Sequence, residues 1–225
     1  MMSDVANQVA ITRRLATGYA AGTLSPAMAL LAETHAAISP RAAHEIALAD
    51  TTAGALFEQQ APEALAGDAL EQVLARIALE PQLERELAPK AAPGSFRDEL
   101  DTLPEPVRAA ALAALSKTGW KFASPGIRTL ALDVGGAAKA EVLRIEPGAS
   151  APEHTHNGEE FTLVMTGAFR DTRGVYMPGD ISVADGTVTH RPTGEAGAIC
   201  YSLAVTDAPL KFTGALGLVQ KLWTH

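Results

Sequence analysis

Two short β-rich segments carry most of the constraint in this chain. The first reads Gly148, then His154-Thr155-His156, Glu160 and a closing Gly167; the second reads Gly179 followed by His190. In an extended strand successive side chains alternate between faces, so His154 and His156 share a side. Glu160 has their parity and Glu159 does not, which favours Glu160 provided no bulge intervenes at Gly158. His190 has to arrive from a second hairpin. Imidazole nitrogens with one carboxylate oxygen form a ligand set for zinc, iron, manganese or nickel.

Composition bounds the rest. At 225 residues the chain can hold one large domain or two small ones, and 47% hydrophobic residues suffice for a sizeable core. The net charge is −8 and no Lys/Arg cluster exists, which argues against direct nucleic-acid binding. The single cysteine, Cys200, excludes an internal disulfide and fits a reducing cytosol. It sits in Ala-Ile-Cys-Tyr-Ser-Leu, which reads as a strand, so a buried structural thiol is expected. No apolar run is long enough for a transmembrane span, and no signal peptide is evident, so a cytoplasmic protein is expected.

The two halves follow different periodicities. Residues 1–80 read as four short helices. Gly22 can close the first, and Ser25-Pro26 and Ser39-Pro40 each supply an N-cap followed by proline at the first helical position. The fourth is the clearest: Leu70, Val73, Leu74 and Ile77 fall at i, i+3, i+4 and i+7, with Asp68 as its cap. Residues 81–105 are rich in proline and charge and read as a linker. A short alanine-rich helix from about Pro106 to Ser116 then leads into strands: Ile127–Leu132, Ala140–Ile145, Phe161–Met165, Gly179–Val183 and Ala198–Val205. The expected class is therefore α+β, with a four-helix module at 1–80, a linker at 81–105 and an antiparallel β barrel at 106–225. Arg170, Asp171 and Arg173 read as a charged turn after a strand.

The glycine–histidine–glutamate spacing resembles the two-part cupin motif, with Asp185 and Thr187 standing where many cupins have proline and glycine. The whole chain resembles the ChrR-type anti-sigma factors. Gly18–Ser25 is similar to that family's helix-end signature, and Glu160–Asp171, Gly179–Asp185 and Ala204–Leu210 are similar to its cupin strands. The resemblance implies a helical module that binds an extracytoplasmic-function (ECF) sigma factor, and a metal-binding cupin that senses singlet oxygen or related oxidants. It implies one divalent metal on His154, His156, Glu160 and His190, zinc first, with iron, manganese and nickel as alternatives. Single cupin domains often pair, so a homodimer through the cupin is also allowed.

One departure matters. The family's helical zinc site uses a histidine, then His-x3-Cys-x2-Cys; here His35 is followed by Ser39 and Ala42, and no histidine precedes it. No zinc is therefore expected in the helical half, and His35 and His44 have no metal role. Ser39 can cap a helix, worth about 1 kcal/mol, against on the order of 10 kcal/mol or more for a structural zinc. The module must be held by apolar packing, by its partner or by docking onto the cupin. The competing class is an enzyme, because cupins with this ligand set include metal-dependent dioxygenases.

Overall fold

The computed structural model describes residues 2–79, 96–207 and 210–212. Helix α1 (Met2–Ala20) ends at Gly22, whose φ of 65° is left-handed. In α2 (Pro26–Ile38) the Ser25 hydroxyl accepts from the Met28 N–H, and in α3 (Pro40–Glu58) Ser39 accepts from Ala42. Both expected caps therefore form. Asp68 instead accepts from the Gln72 side chain at the start of α4 (Ala69–Leu79). Helices α1, α2 and α3 pack on one another, whereas α4 buries no residue. Most of the proline-rich stretch expected as a linker lies outside the described residues. Its end forms α5 (Phe96–Asp101), which packs on α6 (Val107–Lys117).

The strands follow in order: β1 (Lys121–Ser124), β2 (Ile127–Leu132), β3 (Lys139–Ile145), β4 (His154–His156) and β5 (Glu160–Thr166). Then come β6 (Phe169–Asp171), β7 (Gly174–Tyr176), β8 (Ile181–Ala184), β9 (Thr193–Gly194), β10 (Cys200–Thr206) and β11 (Leu210–Phe212). Six form an antiparallel sheet in the order β1-β2-β3-β10-β5-β8; β11 pairs with β4, and β7-β6-β9 make a third sheet. The α+β class and the antiparallel pairing are as expected, and the described strands fall into three sheets. Gly167 shows why the motif needs glycine there: φ is 64°, and a Cβ would stand 2.5 Å from the Ile199 carbonyl oxygen. Cys200 is fully buried in β10, where desolvation pushes its thiol up to about 11, fitting the structural role expected of it.

Period-two alternation gives the large sheet two different faces. Leu130, Val142, Leu163, Leu203 and Val205 join a core with Ile11 and Leu15 of α1, Leu30 and Leu31 of α2, and Leu100 and Val107. Their alternating neighbours Thr129, Glu141, Leu143, Thr162 and Ala204 line a cavity on the other side. The helical half is thus docked onto the sheet, one of the three supports expected for it. Polar bonds fix the docking. Gln8 receives the Ile181 N–H (2.9 Å) and donates to the Ile181 carbonyl (2.8 Å). His35 Nε2 is 3.0 Å from the Gly179 carbonyl, and a carbonyl can only accept, so that nitrogen carries the proton. Arg14 makes two bonds to Glu159, at 3.0 and 2.7 Å.

Candidate metal centre

The three histidines come together from two separate segments. β4 supplies His154 and His156. His190 arrives beside it through a two-way backbone pair with His154, N–H to carbonyl at 3.1 and 2.9 Å. Asp185 and Thr187, the less typical residues of the second segment, build the turn that brings it there. The Asp185 carboxylate accepts from the Thr187 amide (2.8 Å) and hydroxyl (2.6 Å). The three imidazoles are buried, and one ring nitrogen from each lies within 4.8 Å of the others.

Hydrogen bonds decide which nitrogens face inward. His154 Nδ1 is 2.7 Å from the Pro152 carbonyl oxygen, so Nδ1 carries the proton and Nε2 is bare. His190 Nδ1 is 3.2 Å from Asp171 Oδ2, with the same consequence. His156 Nε2 and His190 Nε2 stand 2.9 Å apart. Lone pairs that close repel unless a proton or cation lies between them. The His156 Nδ1 is buried without a hydrogen-bond partner, and its nearest carboxylate oxygen, Glu160 Oε2, is 3.7 Å away. Burial holds His154 below the usual imidazole range. His156 falls to about 4 through burial and the neighbouring His154 and His190. Neutral imidazoles are the form that ligates. The residues fit a divalent ion.

Glu160 and Glu159 face different surroundings, although a loop at 157–159 interrupts the strand on which the parity argument relied. Glu159 turns outward to Arg14. Glu160 lines the cavity with His154 and His190, its carboxylate held by the Thr162 hydroxyl at 3.1 Å and pushed upward by burial. It is not among the three groups whose ligand atoms converge within 4.8 Å.

Against this geometry stand the relatives. A family profile described as "ChrR Cupin-like domain" matches residues 108–207. The anti-sigma-E factor ChrR of Cereibacter sphaeroides is 37% identical over 206 residues, 92% of each chain. The chain belongs to the ChrR family of anti-sigma factors. A crystal structure of Rhodobacter sphaeroides SigE in complex with the anti-sigma ChrR matches it with a TM-score of 0.67 and 35% identity, covering 87% of this chain and 96% of that one. The relative is named as an anti-sigma factor, and a cupin fold alone implies no catalysis.

Within this ChrR-family cupin, the reading of Asp171 as part of a charged turn needs correction. Its side chain is fully buried. Burial pushes its pKa up, but the bonds from His190 and Arg173 pull it well below the usual carboxylate range. Arg173 donates to Asp171 (2.6 Å) and to the Ser182 hydroxyl (2.8 Å), fixing the carboxylate that in turn orients His190. A signal for this was present: Asp171 shares strand parity with Phe169, which points inward to the cavity. Asp171→Asn removes the charge that holds the His190 tautomer. Metal affinity is expected to fall roughly 10- to 100-fold, read by competition with a fluorescent zinc chelator. Unchanged affinity would remove Asp171 from the centre.

Proposed function

We propose that this protein binds and inhibits an ECF-type sigma factor through its helical half, residues 1–80, and that the cupin, residues 106–225, is a metal-bearing sensor of singlet oxygen or oxidative stress. The observation that carries the first part is α4. Its periodic residues Leu70, Val73, Leu74 and Ile77 are all exposed, as are Leu48, Leu56 and Phe57 of α3. An amphipathic helix whose apolar stripe meets no core is a docking element for a partner groove. Acidic residues of the same half, Glu33, Glu45, Asp50 and Glu58, favour encounter with a basic, DNA-binding partner. The SigE–ChrR complex among its relatives supports the class of partner.

For the second part, the ligands are His154, His156, His190 and Glu160, the last completing the set at the cavity wall. Zinc is the first choice by family; the ligand chemistry alone also suits iron, manganese and nickel. A divalent ion held there would relieve the repulsion between the two facing Nε2 lone pairs and would be balanced in part by the Glu160 carboxylate. Glu159 directly precedes Glu160 in the chain and carries the Arg14 bonds. A change at the metal therefore has a short path to α1. The helical half is expected to hold no zinc, since His35 is engaged by Gly179 and Ser39 by its own helix. Any pairing of two cupins would use the edge strand β1, where Phe122 is exposed.

The test is purification of the full chain from its native host, with mass spectrometry of what accompanies it. An ECF-type sigma factor is the expected companion. No sigma factor, together with oxygen consumption on a small organic substrate, would replace this reading with a cupin dioxygenase.

A further inference from the structure

The inner face of the large sheet and the histidine segments enclose a cavity of about 170 Å3. Ile127, Leu143, Ile145 and Phe169 make its walls apolar. His154, His190 and Glu160 form one polar edge, and Glu141 adds a second carboxylate from the middle of β3. Among the described residues no lysine or arginine lines the space. Arg173, behind His190, is paired with the buried Asp171 at 2.6 Å.

Size and charge together define what fits. An apolar cavity of roughly 150 Å3 holds one benzene ring, so this one suits a body of about that size. With a divalent ion on three neutral imidazoles and Glu160, the histidine edge has net positive charge and accepts a lone pair. Glu141, as a carboxylate, offers only hydrogen-bond acceptors. An anionic ligand satisfies the first edge and is repelled by Glu141 across a poorly solvated space. We propose that the cavity binds a small uncharged hydroxylated molecule with a ring-sized apolar body, one oxygen toward His154 and His190 and one hydroxyl donated to Glu141. This rests on the reading of the cupin as the metal-bearing sensor, and it names the class of ligand that sensor would take.

The test is calorimetric titration of the zinc-loaded full chain with two probes on one skeleton, 4-hydroxybenzyl alcohol and 4-hydroxybenzoate. The alcohol is expected to bind roughly tenfold or more tightly than the carboxylate. Glu141→Gln should close that gap by weakening the alcohol and strengthening the carboxylate. Ala204→Leu, which projects an isobutyl group into the cavity, should abolish both; where that variant does not fold, Glu141→Gln alone decides. The proposal is overturned by equal or tighter binding of the carboxylate to the wild type, by an undiminished gap in Glu141→Gln, by undiminished binding to folded Ala204→Leu, or by no binding of either probe at low millimolar concentration. Zinc content and sigma-factor capture, measured on the same samples, separate failure of the cavity proposal from failure of the metal or sigma reading.

Discussion

A full-length chain carrying both His154→Ala and His156→Ala is expected to contain no metal, whereas the wild type carries one equivalent. The two substitutions remove both ligands that β4 supplies, leaving His190 and Glu160, too few for a tetrahedral site. The effect is also visible in stability. A metal that binds only the folded chain stabilises it by about 2.7 kcal/mol at one hundred times its Kd. Added zinc should therefore raise the melting temperature of the wild type and leave the double variant unmoved. Elemental analysis of the same variant tests the helical half, because any zinc bound through His35 would survive. One equivalent of metal in the double variant would sink either the ligand assignment or the zinc-free reading of the helices, and adding His35→Ala would show which.

Leu74→Asp with Ile77→Asp is expected to abolish sigma-factor capture without lowering the unfolding temperature. The two residues are 56% and 55% exposed, so their charge is placed in water rather than in a core. Exposed substitutions of this kind shift stability by about 0.5 kcal/mol or less. Central interface anchors cost roughly 2 kcal/mol or more each on truncation, about thirtyfold in affinity apiece. Capture by the purified sigma factor, alongside thermal unfolding, distinguishes the outcomes. A stable variant that still binds would move the docking surface off α4. The groove between α1 and α3, lined by Leu48 and Leu56, would then be the next place to look. A variant that unfolds would instead mean that α4 packs on its own chain in solution.

Much of the fold was legible from local rules. Ser25-Pro26 and Ser39-Pro40 start helices because a short hydroxyl side chain can reach the orphan amides, and proline lacks the amide that would go unpaired. The strand Ile127–Leu132 was marked by alternation that one-sided burial imposes. The histidine spacing found all three imidazoles that converge, whereas parity could not carry from His156 to Glu160 because a loop at 157–159 lies between them. These signals survive in sequence because they act over a few residues of regular backbone.

What required the tertiary structure is where separate elements meet. Nothing local to α4 says that its apolar stripe stays uncovered while that of α2 is buried; periodicity marks a face but not its partner. The support of the helical half came from Gln8, His35 and Arg14 meeting residues 159–181, contacts across more than a hundred positions of chain. Asp171 looked like a solvated charge beside Arg170 and Arg173. Its burial against His190 depends on β6 and the 190 segment being brought together in space. The sequence by itself determined the starts of α2 and α3, the main strands of the large sheet and the imidazole set, because capping and strand alternation are local. Only the tertiary structure decided the docking of helices on sheet, the exposed face of α4 and the carboxylate behind His190, because burial and pairing are properties of the assembled chain.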